Sequence, residues 1–278
     1  MVREKIVTFG PDARLVGTMT MPDGPMVGRL LLINAGIVGR GGPHRLHVKL
    51  ARAASEIGFA SIRLDLSGLG DTAPAAPGLG HEQQAVADIT QAIDDWNRQT
   101  SAEGLPLIVY GMCSGADHAY EAIAADDRIT GLALIDPYAY GSVRARLDKI
   151  ASKATDTDRW GRAIGRVIGV TPPPENAPTV DSEDNDRVHP PVEEFGERLS
   201  AFAQRGGRLF IRYTNYVQED LTKPEHFFAN FREDGFAGRL TLSVGMDVDH
   251  THTERAAQQQ LIGQLCDWLA QVAKGNAP

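Results

Sequence analysis

Ten residues, Leu107-Ile108-Val109-Tyr110-Gly111-Met112-Cys113-Ser114-Gly115-Ala116, constrain this chain more than any other stretch. An apolar run suited to a buried strand breaks into a turn with a cysteine at its centre and glycines two positions before and two after it. A side chain held at the apex of a sharp strand-to-helix turn brings the neighbouring backbone so close that only small residues fit on either side. Cys113 meets that demand through Gly111 and Gly115. Ser114 would have Met112 and Ala116 in those places. The reading is therefore a nucleophile at Cys113, with the backbone N–H of Ser114 facing the reacting oxygen. A small buried cysteine at a helix start is the plainer alternative, because free cysteine is among the most buried residue types.

The rest of the chain fits such a turn into a parallel sheet. Lys5–Phe9 and Leu15–Thr20, with Gly10-Pro11-Asp12 between them, read as an opening hairpin. Arg29–Asn34, Phe59–Asp65, Gly131–Asp136, Arg208–Tyr213 and Gly238–Val244 are short apolar strands, and helical spacing appears over His47–Ile57 and His81–Arg98. Such alternation implies an α/β architecture with helices on both faces of a mostly parallel sheet. The pattern lapses between Pro137 and Pro191, where a basic piece, Val143–Ile168, precedes Pro172-Pro173-Pro174 and an acidic run at 181–186. The expected organisation is a core of residues 1–136 and 192–278 with a cap or lid insertion at 137–191; a solvated loop is the bland alternative for that insertion.

Composition excludes several functions. Of 278 residues, 42% are hydrophobic and 23% charged, the balance of a soluble globular protein, and the net charge of −8 without a basic stripe disfavours a nucleic-acid partner. No run of about 18 apolar residues offers a membrane span, and the charged start, Met1-Val2-Arg3-Glu4-Lys5, is unlike a signal peptide, which points to the cytoplasm. Two cysteines make no disulfide framework, and Cys266 falls on the apolar face of the last helix, a packing position. The oligomeric state leaves no mark in the pattern.

Three blocks in order resemble the α/β-hydrolases, and more closely the hydrolases associated with exosortase and exopolysaccharide loci, similar to the serine aminopeptidase-like branch. Gly111-x-Cys113-x-Gly115 resembles the nucleophile elbow, with a thiol replacing the usual hydroxyl. Asn34-Ala35-Gly36, Gly42-Pro43-His44-Arg45 and Leu50-Ala51-Arg52 resemble that group's glycine-rich loop, "HR" pair and "LAR" helix. Arg63–Asp71 resembles the "RfDyrGhGdS" pattern, and Asp249-His250-Thr251 a "DHT" histidine block. The resemblance implies an α/β-hydrolase fold with a lid after the sixth strand. It also implies a Cys–His–Asp triad in the chain order nucleophile, acid, histidine.

On that basis His250 is the expected general base, preferred to His252. The amides of Ile37 and Ser114 would hold an oxyanion, and His44 and Arg45, in the same loop, would bind an anionic substrate group or else cap the next helix. The acid is harder to place. Thr214-Asn215-Tyr216-Val217, just past its expected strand, offers no carboxylate, so Asp220 is the expected acid, with Glu219 beside it as the alternative. Asp65, Asp71, Asp136 and Asp249 read as turn formers and strand-end acceptors. The expected chemistry is cofactor-free hydrolysis of a small-molecule ester, thioester or lactone through an acyl-cysteine. The alternatives are acyl transfer at the same Cys–His site and a non-hydrolytic ligand-binding pocket. His250 and His252 lack a third ligand at metal-site spacing, so no metal is expected.

Overall fold

The computed structural model describes residues 3–75, 78–100, 102, 104–155 and 188–275. Eight strands form one sheet: β1 (Arg3–Phe9), β2 (Leu15–Met21), β3 (Gly28–Leu32), β4 (Phe59–Asp65), β5 (Leu107–Met112), β6 (Gly131–Ile135), β7 (Arg208–Thr214) and β8 (Leu240–Gly245). Their spatial order is β1-β2-β4-β3-β5-β6-β7-β8. β1 and β2 make the expected antiparallel hairpin, with Val7 opposite Gly17, and β2 runs antiparallel to β4. From β4 to β8 every pairing is parallel.

Every residue of β3, β4, β5 and β6 is buried, which is why these strands read as unbroken apolar runs. Helices cover both faces. On one side α2 (His81–Gln99), α3 (Ser114–Ala125) and α5 (Val192–Gln204) pack Ile89, Trp96, Tyr120, Phe195 and Leu199 against the sheet. On the other, α1 (Leu46–Glu56) and α7 (Arg255–Ala273) contribute Leu50, Leu265 and Trp268, packed with Phe59 and Tyr110 of the strands. Ile89, Ala92, Ile93 and Trp96 recur at helical spacing along α2 and are fully buried. Each of the large ones stabilises the fold by ~1.5–3 kcal/mol.

The region after β6 begins with α4 (Val143–Thr155), and α6 (Pro224–Phe228) is a short helix after β7. Much of the expected lid, residues 156–187 with the proline triplet and the acidic run, lies outside the described residues. Among the described residues no helix is long and apolar enough to cross a membrane. The parallel strands all end on one edge. At that edge β5 delivers Cys113, β6 delivers Asp136, and the loop after β8 delivers His250.

Candidate active site

Cys113 stands between the last residue of β5 and the first of α3, with φ 55° and ψ −130°, a conformation L-residues seldom adopt. Sterics around it are as tight as the sequence spacing demands. A Cβ on Gly111 would overlap the carbonyl oxygen of Gly115, and a Cβ on Gly115 would overlap that of Asn34. The turn is held by Cys113 N–H donating to Ile135 O at 2.9 Å and Ala116 N–H donating to Cys113 O at 2.8 Å. Met112 is buried in the core shared with α1 and α7, so a turn centred on Ser114 would have to expel it.

His250 faces this thiol. Its Nδ1 lies 2.7 Å from Asp136 Oδ2, leaving Nε2 for the hydrogen bond to Cys113. Tyr216 stacks on the imidazole with centroids 4.0 Å apart and planes 25° from parallel, fixing the ring's tilt. Burial works against a charged imidazole, but the hydrogen bonds to Asp136 and Cys113, together with their charges, outweigh it. The His250 pKa is pushed up from 6.5 to about 9.

Asp136 is fully buried and carries φ 49°. Its carboxylate accepts from Thr214 N–H at 2.7 Å, Thr214 Oγ1 at 2.6 Å and His250 at 2.7 Å. Three donors match a buried carboxylate well and leave it little freedom to rotate. Asp249 shapes the histidine loop by accepting from Thr251 Oγ1 at 2.8 Å and from Thr253 N–H and Oγ1 at 2.9 and 2.8 Å. Although burial opposes it, these bonds hold the Asp249 carboxyl down at about 2.

The loop after β3 crosses in front of the elbow. Gly36 N–H donates to Ser114 Oγ at 3.1 Å, tying the loop to α3. Asn34 Nδ2 donates to Val38 O at 2.9 Å and to the buried Asp65 at 3.0 Å, and Asp65 also receives Arg40 N–H at 2.6 Å and the Arg40 guanidinium. The amides of Ile37 and Ser114 have no acceptor among the described residues, while the Ile37 side chain is exposed beside them. His44 and Arg45 follow with φ 49° and 61°. His44 Nε2 lies 3.4 Å from Thr253 Oγ1, which links this loop to the one that carries His250.

No protein-family model matches the sequence, and no curated protein matches it. Solved structures do. An α/β serine hydrolase without lid from Xanthomonas campestris superposes with TM-score 0.54 at 15% identity, over 98% of this chain and 94% of the other. A thermostable carboxyl esterase from Bacillus coagulans gives 0.59 at 13%, over 98% and 100%. The esterase domain of a Rhodothermus marinus protein gives 0.56 at 14%, over 97% and 99%. The chain has the α/β-hydrolase fold.

Within the hydrolase fold the carboxylate on His250 is Asp136, at the end of β6, and not Asp220. Asp220 lies in the loop after β7, its carboxylate beside Gly141, and the alternative Glu219 is paired with Lys149. The end of β7 carries Thr214 and no carboxylate, and Thr214 acts as a double donor to Asp136. Asp136 was legible as a strand-end carboxylate on the neighbour of the elbow strand, the edge where α/β sheets gather ligand-binding groups. His252 is brought to neither partner. Its Nδ1 lies 3.4 Å from His250 O, its Nε2 is buried without a partner among the described residues, and burial holds its pKa below the usual value. Burial likewise pushes the Cys266 thiol up to about 11, well away from the site chemistry.

Proposed function

We propose that this chain hydrolyses a carboxylic ester, thioester or lactone through an acyl-cysteine at Cys113. The observation that carries the reading is a thiol on a strained elbow, hydrogen-bonded to an imidazole whose far nitrogen is held by a buried carboxylate. The esterases and serine hydrolases with the same fold support it, with cysteine here in place of serine.

In the first half-reaction Cys113 Sγ attacks the acyl carbonyl with the proton shared by the Cys–His pair already held on His250 Nε2. Asp136 steadies the imidazolium, and the amides of Ile37 and Ser114 receive the oxyanion. Collapse of the tetrahedral species breaks the bond to the leaving group, which takes the proton from His250. Water, deprotonated by the same nitrogen, then attacks the thioester and releases the acid and the thiol. No step calls for a metal or a cofactor. The exposed Ile37 side chain offers an apolar contact to the acyl group, and His44 and Arg45 border the same loop for an anionic one.

Intact-mass spectrometry after incubation with small acyl esters and thioesters tests this reading, with Cys113→Ala and Ser114→Ala alongside. The expected result is an acyl adduct on the wild type and on Ser114→Ala, but none on Cys113→Ala. Turnover in Ser114→Ala is expected to fall about tenfold, because the loop that presents Ile37 loses its tie. An adduct retained in Cys113→Ala and lost in Ser114→Ala would move the nucleophile to Ser114. No adduct and no turnover on any substrate would reject the hydrolase reading, and transfer to an added amine faster than to water would make the enzyme an acyltransferase.

A further inference from the structure

We propose that Asn34 and Asp65 are positioning residues that hold the Ile37 amide where an oxyanion forms at Cys113; this rests on the hydrolase reading above. The strap after β3 lies against the elbow by direct contact. The carbonyl oxygen of Asn34 packs where a Cβ on Gly115 would stand, and Gly36 N–H donates to Ser114 Oγ at 3.1 Å. Here the chain reverses, with Val38 N–H donating to Ala35 O at 3.0 Å. Gly36 carries φ 55° and Ile37 no positive φ, the pattern of a type II′ turn, which favours glycine at its first central position. The Gly36 amide is spent on Ser114 Oγ. The amide of Ile37 is the next donor on the turn, and it has no acceptor among the described residues.

Asp65, fully buried at the end of β4, ties both ends of this turn from behind. Its Oδ1 accepts Asn34 Nδ2 at 3.0 Å from before the turn and Arg40 N–H at 2.6 Å from after it. Its Oδ2 takes the Arg40 guanidinium and, at 3.4 Å, Asp71 N–H. Asn34 completes the brace, because Nδ2 also donates to Val38 O at 2.9 Å and Oδ1 accepts Leu66 N–H at 2.7 Å. A Cβ on Gly70 would overlap the Asp65 carboxylate, so glycine there keeps the room that the carboxylate fills. Hydrogen bonds to an ionised acceptor are the strong ones, and they fasten the strap at both ends while Ile37, 90% exposed, stands at its tip. An amide fixed in this way meets developing negative charge without reorganising. It lowers the barrier and leaves ground-state binding nearly unchanged, which gives the Arg63–Asp71 block a task in the reaction.

The test compares turnover of 4-nitrophenyl butanoate with alkylation of Cys113 by iodoacetamide, in the wild type and in Asp65→Asn. Alkylation displaces iodide from a saturated carbon and forms no oxyanion. The expected result is a kcat for the ester lowered about tenfold at nearly unchanged KM, with the alkylation rate and its pH profile as in the wild type. Both rates lowered alike, or neither lowered, would overturn the assignment. Asn34→Ala, which leaves the Asp65–Arg40 pair in place, carries the same comparison if Asp65→Asn does not fold. Butanal separates the turn from the hydrolase reading. Sγ bonds to its carbonyl carbon, the π pair moves to oxygen and the proton of the Cys–His pair joins it, with no leaving group. If the wild type turns over no ester, butanal binding, read as protection from iodoacetamide, still tests the turn. A Kd raised about tenfold in the variant supports the positioning role while the hydrolase reading falls. An unchanged Kd, or no binding to the wild type, overturns the positioning role.

Discussion

Two histidine–aspartate pairs stand at the same edge of this sheet. In one, His250 Nδ1 meets Asp136 at 2.7 Å; in the other, His226 Nε2 meets Asp148 at 3.0 Å. The distances hardly separate them, and what surrounds the pairs does. Asp136 is fully buried and shares its carboxylate with Thr214, whereas Asp148 is partly exposed and shares its oxygen with Lys223, whose hydrogen bond, ahead of that from His226, holds the Asp148 carboxyl below its usual range. The far nitrogen of His250 meets a thiol, while that of His226 accepts the backbone N–H of Thr222 at 3.2 Å and is spent. A His–Asp pair is therefore not in itself catalytic machinery. It becomes such only where the second nitrogen is left to an exchangeable proton.

The hardest blow to this distinction is aimed at the acid. Asp136→Asn keeps the shape of the side chain but turns one oxygen into an N–H₂ group facing donors, so His250 loses both its orientation and its counter-charge. A thiol depends less on that support than a hydroxyl does, so kcat is expected to fall about 10²-fold with a smaller change in KM. Steady-state kinetics on a substrate that acylates Cys113 would check this. A kcat near that of the wild type would reduce Asp136 to a structural clamp of the kind Asp148 provides between α4 and α6.

A smaller effect, on stability, comes from the His250 charge. The folded-state pKa of His250 is raised from 6.5 to about 9, so its contribution to stability is complete below about pH 6.5 and is lost as pH rises through about 9. Urea unfolding of the wild type and of His250→Asn at about pH 6 and about pH 10 measures that loss. The gap between the two proteins should close toward the higher pH. A gap that stays constant would mean that the imidazole is neutral throughout and that the pair is held by its hydrogen bond alone.

These contrasts explain how much of the molecule was legible in its sequence. The apolar runs of β3 to β6, the glycines around Cys113 and the histidine block at Asp249-His250-Thr251 are local signals, because the sterics or periodicity behind each lies within a few residues of chain. Asp136 is different. In sequence it is one more carboxylate ending a strand, and its link to His250 spans 114 residues. The link depends on where the loop after β8 folds back, and on Thr214, whose value as a double donor cannot be read from its own neighbourhood. Asp220 is not the carboxylate on His250 for the same reason: its distance along the chain from β7 does not set its distance from the imidazole. His226 and Asp148, 78 residues apart, left no sequence signal at all.

The finest contrast between the two pairs is strain. Cys113, Asp136 and His252 all carry positive φ, as do His44 and Arg45 across the site, while no described non-glycine residue from Thr214 to Phe228, around the second pair, does. A residue held in such a region costs roughly 1–3 kcal/mol and persists only where its surroundings impose it. At φ 55° and ψ −130°, Cys113 is the clearest instance, since glycine adopts that conformation freely. Cys113→Gly removes the strain but gives up the packing of a half-buried thiol and adds backbone entropy to the unfolded chain, a loss of ~0.5–1 kcal/mol. The net expectation is a gain of about 1 kcal/mol, or about 2 °C in Tm for a chain of this size, with acyl-adduct formation abolished. Cys113→Ala keeps its Cβ and gains nothing comparable, so the difference in Tm between the two variants isolates the backbone contribution from that of the thiol. If the glycine variant melts no higher than the alanine variant, the elbow is not strained in solution. Activity at Cys113 would then rest on its partners alone, and the two histidine pairs would differ only in what their second nitrogens touch.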